Sequence, residues 1–169
     1  MEAIVYTSNT GTTKEYAKLL SDKLSLPYYS LDEIKNKVKP GGKIIYLGWI
    51  MASGVKGYKK AIKDYDVCAV GAVGMGETGT QVKEVRTKNK IPSSIPVFTL
   101  QGGFDVKKLH GIYKLMMTIM VKTAGKGLAN KQDRTQEEDQ MLEMMLHGGK
   151  YVDEKNLKAI LDWYGKRGE

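Results

Sequence analysis

The sequence predicts an α/β protein built on a parallel sheet with helices on both faces. Three observations carry that expectation. Apolar, β-branched runs alternate with helix-like segments from the first residue to about residue 100. The run 66–73 is almost continuously apolar, as befits a strand covered on both faces. Three of the runs end in loops, 7–13, 49–54 and 74–79, so these loops fall at strand carboxyl ends, where ligands of such sheets sit.

Taken in order, residues 1–6 form a first strand, with Ile4, Val5 and Tyr6 at its centre, and 14–24 a first helix. Residues 27–31 give a second strand, and 32–39 a short polar helix or turn closed by Pro40-Gly41-Gly42. Lys43 to Gly48 is the third strand, followed by the loop 49–54 and a helix over about 55–63. Residues 66–73 are the fourth strand, 80–88 a helix, and 95–100 the fifth strand. Simple alternation then stops. A turn, 101–105, precedes a long helix over 106–124 and a polar connection over 125–134. Thr135-Gln136-Glu137-Glu138 has the form of a capping box opening a helix to about Leu146, with Gly148-Gly149 as its stop. Asp153 caps a last helix over 154–164, in which Leu157, Ile160, Leu161 and Tyr164 keep helical spacing.

The richest chemistry lies in Thr7-Ser8-Asn9-Thr10-Gly11-Thr12-Thr13. Five of these seven residues carry a hydroxyl, and the loop stands between a strand and a helix. Backbone amides and hydroxyls there can wrap a phosphate at a helix N-terminus, where the dipole favours negative charge. No Lys or Arg lies inside the loop, which separates it from a Walker loop. The plainer reading is helix capping, but a cap uses one hydroxyl and five exceed that need.

Composition bounds the rest. A length of 169 residues predicts one domain, 1–169, with 101–152 as a helical insertion within it. The lone Cys68 excludes an intrachain disulfide framework, suits a reducing cytoplasm, and reads as a small strand residue, not a nucleophile. Two histidines, His110 and His147, and one cysteine give no zinc spacing, so no metal site is expected. No catalytic Ser/His/Asp or Cys/His set is legible. The N-terminus lacks a signal-peptide pattern, and no apolar stretch reaches the length of a membrane span. Lys and Arg number 27 against 19 Asp and Glu, a net charge of +8. Nucleic-acid binding is not expected, because no recognised fold or aromatic-basic platform accompanies that charge.

The stretch from Ile4 to Thr13 resembles the flavodoxin phosphate-binding signature, in the form [ST]-x-T-G-x-T. The β/α alternation and the last helix extend the resemblance over all but about residues 101–152. It implies a flavodoxin-like three-layer sandwich, a five-stranded parallel sheet in the order 2-1-3-4-5, and non-covalent FMN. Ser8, Asn9, Thr10, Gly11, Thr12 and Thr13 would hold the FMN phosphate. The ring would lie between the loops after the third and fourth strands. Those loops contribute Trp49, Ile50, Met51, Ala52, Ser53 and Gly54, and Gly74, Met75, Gly76, Glu77 and Thr78. Trp49 is the candidate for stacking on the ring, and a core or rim tryptophan is the alternative. Gly74-x-Gly76-x-x-Gly79 also fits a dinucleotide fingerprint as a pattern. It follows the wrong strand, however, and no acid closes the next one, so those glycines read as close backbone approach to the flavin.

The insertion carries the charge. Lys107, Lys108, Lys114, Lys122, Lys126 and Lys131 fall between Val106 and Gln132 with no acid among them. His110, Lys114, Thr118 and Lys122 form one polar stripe on a helix otherwise rich in Ile, Leu and Met. Such a helix is buried in its own domain, meets a homodimer partner, or lies on an anionic membrane surface. Gly102-Gly103-Phe104-Asp105 and this helix are similar to the flavodoxin branch containing the quinone-linked protoporphyrinogen dehydrogenase. The reading is therefore an FMN-binding electron-transfer protein of the cytoplasm, handing electrons to a redox partner protein or quinone. The alternative is a membrane-associated, FMN-dependent enzyme of the protoporphyrinogen dehydrogenase type, peripheral to the inner face of the membrane. A flavin-free interaction module on the same scaffold is a third.

Overall fold

The computed structural model describes residues 1–104, 111–136, 138–139, 142–143 and 148–167. The strands are β1 (Ala3–Thr7), β2 (Tyr28–Ser30), β3 (Lys43–Met51), β4 (Gly54–Val55), β5 (Asp66–Gly74), β6 (Val97–Gln101), β7 (Gly103–Phe104) and β8 (Gly149–Lys150). The helices are α1 (Thr12–Leu24), α2 (Tyr58–Asp64), α3 (Val82–Asn89), α4 (Gly111–Ala129) and α5 (Lys158–Gly165).

The main sheet runs β2-β1-β3-β5-β6, and every pair along that path is parallel. The chain leaves β1 for β2 on one side and returns to β3 on the other, so the order reverses between β1 and β3. That is the switch point at which open α/β sheets bind ligands. Alternation along the strands sorts the core into two layers. Ile44 and Tyr46 of β3 pack with Tyr58 and Ala61 of α2 and Val85 of α3. Ile45 and Leu47 face the other way, against Tyr16, Ala17 and Leu20 of α1 and Ile160 of α5. Period-two burial on both faces explains why these strands read as unbroken apolar runs.

Three elements differ from the sequence expectation. The stretch expected as a loop over 49–54 is a hairpin. Trp49, Ile50 and Met51 continue β3, which turns at Ala52-Ser53 into β4, with Ile50 opposite Val55 and Met51 opposite Gly54. Both turn residues have left-handed backbone, φ 46° and 59°, as a two-residue hairpin requires. Gly48 admits this fold-back, since a Cβ there would stand 2.6 Å from the Lys56 carbonyl. Second, α4 runs through Gly125 to Ala129, where a polar connection is expected. Its end is tied by Arg134, whose guanidinium donates to the carbonyls of Leu128 and Ala129, both at 3.1 Å. Third, the turn after β6 is half of a small antiparallel pair, Gly103 opposite Lys150 and Phe104 opposite Gly149. This pair closes the base of the insertion.

Two caps match the sequence reading. Thr135 and Glu138 form the reciprocal capping box, with Thr135 N–H to Glu138 Oε2 at 3.0 Å and Glu138 N–H to Thr135 Oγ1 at 3.2 Å. Asp153 accepts from Lys155 N–H at 2.8 Å, ahead of a 3-10 turn over Glu154–Leu157 and then α5. The expected start of the long helix, 106–110, and its charges at Lys107, Lys108 and His110 lie outside the described residues, as do Glu137, Gln140, Met141 and 144–147.

Candidate functional site

The loop after β1 is built without using its hydroxyls as a helix cap. The N-cap of α1 is Gly11, in left-handed conformation at φ 98°, and no side chain caps the helix. Ser8 turns inward instead, its Oγ accepting from Gly11 N–H at 3.2 Å. The first amides of α1 have no intrahelical acceptors and point, with the positive end of the dipole, toward the loop. Two side chains there are left wanting. Asn9 Nδ2 and Thr13 Oγ1 are buried without a hydrogen-bond partner among the described residues. Thr13 is fully buried at the head of the α1 stripe Thr13, Tyr16, Ala17 and Leu20, a position whose periodicity calls for an apolar residue. Buried polar atoms without partners are uncommon in folded proteins and each costs stability.

The strand ends beside this loop are firmly fixed. Tyr46 of β3 bridges Thr7 Oγ1, at 2.8 Å, and the Lys56 carbonyl, at 2.6 Å. A carbonyl only accepts, so the phenolic proton goes to Lys56 and Thr7 donates to Tyr46. Burial raises the Tyr46 pKa far above its ordinary value and keeps it neutral. Tyr16 does similar work on the other side. Its hydroxyl donates to the Gln101 carbonyl and accepts from Asn156 Nδ2 at 2.6 Å, joining α1, β6 and the turn before α5.

The hairpin after β3 is pinned from outside by one buried amide. Asn89 of α3 accepts from Val55 N–H at 2.8 Å and donates to the carbonyls of Ser53, at 2.8 Å, and Val85, at 2.7 Å. By strand alternation Trp49 shares the face of Leu47, the α1 face, and its half-buried ring carries Lys56 Nζ 5.6 Å from its centroid. Gly74 is likewise a strand residue, opposite Gln101 on β6, and a Cβ there would come within 3.1 Å of Ile50. The segment 75–81 bends back onto β6. Gly79, at φ 88°, donates to the Thr99 carbonyl, and Thr78 Oγ1 accepts from Gln101 N–H at 3.0 Å. Turn conformation at Gly79 and packing on Ile50 at Gly74 thus account locally for two of the three glycines of that pattern.

The loop after β1 also borders an open cleft of about 340 Å³ on its β2 side. Thr7, Ser8, Asn9 and Gly11 form one wall and Ser30, Leu31 and Asp32 the other, with Tyr6 and Lys14 completing it. Asp32 pairs with Lys60 at 2.9 Å, and both partners are well exposed. Glu33 is held below the usual carboxylate range by bonds from the Ser30 hydroxyl and amide, and its Oε2 lies 2.7 Å from Ser30 Oγ. Of the residues singled out from sequence, Ser8, Asn9 and Gly11 line this cleft, whereas Thr10, Thr12, Thr13 and those of 49–54 and 74–78 do not. Sequence reasoning passed over Lys14, Ser30 and Asp32. The proximity of Ser30 and Asp32 to the loop depends on the parallel pairing of β1 with β2, Tyr6 opposite Ser30, whereas Lys14 stands in the first turn of α1.

Cys68 is the extra residue where the β3–β5 register shifts, Ile44 facing Val67 and Ile45 facing Ala69. Burial raises its thiol pKa, which disfavours the thiolate. On α4, Ile119 is 53% exposed and Lys122 and Lys126 are exposed beside it. No helix among the described residues is long and apolar enough to cross a membrane. The chain matches no known family model, no curated protein and no solved structure.

Proposed function

We propose that the chain is a flavodoxin-like protein that binds FMN non-covalently at the carboxyl edge of its sheet and passes electrons through it. The observation that carries this is the glycine-capped N-terminus of α1, ringed by hydroxyls, with Asn9 Nδ2 and Thr13 Oγ1 buried and unpartnered. An anion with several acceptor oxygens fits that donor set, and the strand order supports it by putting the loop at the β1/β3 reversal. FMN would supply the redox chemistry, accepting and releasing one or two electrons.

The chain's own residues bind and orient. Ser8 to Thr13 would hold the phosphate, with the open amides of α1 offsetting its charge. The Tyr46–Thr7 and Tyr16–Gln101 bonds fix the strand ends on which those residues stand. The 49–54 hairpin, braced by Asn89, and the 74–78 segment, tied to β6 through Thr78, would lie on either side of the ring. Thr10→Ala with Thr12→Ala removes two hydroxyls, each worth about 1.5–3 kcal/mol toward a charged group, so FMN affinity falls by several kcal/mol. Unchanged affinity in a flavin-fluorescence titration rejects the assignment.

The electron acceptor is a redox partner protein or a quinone. Exposed Ile119 beside Lys122 and Lys126 favours, as a second reading, an FMN-dependent enzyme of the protoporphyrinogen dehydrogenase type resting on an anionic membrane surface. Co-sedimentation with anionic vesicles separates it from a free carrier.

A further inference from the structure

We infer that the cleft between the β1 loop and the end of β2 is a second nucleotide subsite, shaped for the adenosine-phosphate arm of a flavin dinucleotide. The inference rests on the phosphate reading of the loop and extends it from FMN to FAD. Four observations converge on it.

The cleft shares Ser8, Asn9 and Gly11 with the loop, so a ligand anchored there continues into it without leaving the protein. Its volume, about 340 Å³, falls within the span of small-molecule sites. Its lining is divided by chemistry. Tyr6 and Leu31, 8% and 6% exposed, give an apolar floor for a base, while Asp32 offers a carboxylate opposite the loop. Asp32 lies two residues past the end of β2 and 21 positions after Gly11. A carboxylate about twenty residues beyond a β1–α1 phosphate turn, at the carboxyl end of the second strand, is placed to accept from ribose hydroxyls.

The charges agree with this division. Lys14, in the first turn of α1, is the cation of the cleft wall, suited to the second phosphate of a pyrophosphate. Only Asp32 Oδ1 engages Lys60, through a solvent-exposed ion pair of little strength, which leaves the other carboxylate oxygen for a ribose diol. Glu33 is occupied with Ser30. β2 lies on one side of β1, and β3 and β5 on the other, so the adenosine arm and the ring walls do not compete for space.

Calorimetric titration of the full chain with FMN, FAD and ADP tests this, alongside Asp32→Asn. The expected result is FAD binding at least as tight as FMN, and ADP binding on its own. Asp32→Asn then weakens FAD and ADP about tenfold or more while FMN affinity holds. FMN binding with FAD and ADP both rejected, or FAD affinity indifferent to Asp32→Asn, overturns the subsite and leaves the FMN reading standing. ADP bound in an Asp32-dependent way with neither flavin bound overturns the flavin reading and keeps the subsite as a nucleotide site. Binding of none of the three overturns both.

Discussion

Thr13→Val separates a residue kept for binding from one kept for folding. Thr13 opens the buried stripe of α1 and is wholly inaccessible, yet its hydroxyl has no partner. Val has nearly the same shape and removes the orphaned oxygen. An unsatisfied buried hydroxyl costs about 1–3 kcal/mol on mutational scales, so the variant recovers stabilisation of that order. For a chain of this length that raises Tm by about 2–4 °C for each kcal/mol gained. FMN binding moves the other way. The oxygen has no surface in the ligand-free chain, so the side chain turns to meet the phosphate on binding, and loss of that hydrogen bond costs about 1.5–3 kcal/mol, or roughly 10- to 150-fold in Kd. Thr13→Ser keeps the hydroxyl and retains affinity. Urea unfolding of the ligand-free chain with a flavin titration reads both quantities. A Val variant that is less stable, or one that binds FMN as before, refutes the reasoning.

Asn89→Ala removes three hydrogen bonds from a buried amide and leaves Val55 N–H without its acceptor, so unfolding free energy falls by about 2–4 kcal/mol and FMN affinity falls with it. A loss below about 0.5 kcal/mol in urea denaturation shows that the hairpin holds itself. The pH dependence is set by buried phenols. Burial raises the pKa of Tyr6, Tyr16, Tyr46, Tyr58 and Tyr65 above the ordinary 10.0, so the native chain holds these protons more tightly than the unfolded one. Their contribution is complete below pH 10 and is lost as pH rises through the native-state values. Tyrosinate absorbance shows late titration in the native protein, with stability falling over the same range; uniform titration near the ordinary value contradicts this.

The sheet was legible because its information is local. Ile44 to Leu47 and 67–73 are apolar runs of the kind a doubly covered strand requires, and the hydroxyls of Ser8 to Thr13 stand together in the sequence itself. Thr135 with Glu138, and Asp153, were readable for the same reason, since each cap is written within three residues. The hairpin was not. Its turn, Ala52-Ser53, lacks the Asn-Gly signal of such turns, and its brace, Asn89, stands 36 residues from Ser53. Gly125 read as a stop, although a helix tolerates an interior glycine at a cost of about 1 kcal/mol. The cleft was invisible for a longer-range reason. Asp32 looks like an ordinary surface charge until β1 pairs with β2 and sets it across the cleft from the loop that leads into Lys14.

Everything proposed for this chain depends on flavin binding by the hydroxyl loop and the segments 49–54 and 74–78. The most direct measurement is the visible spectrum of the purified full chain, before and after added FMN and after denaturation. The account predicts flavin absorbance in the native protein, saturable uptake of added FMN, and its release in equimolar amount on unfolding. A colourless protein that takes up no FMN contradicts it.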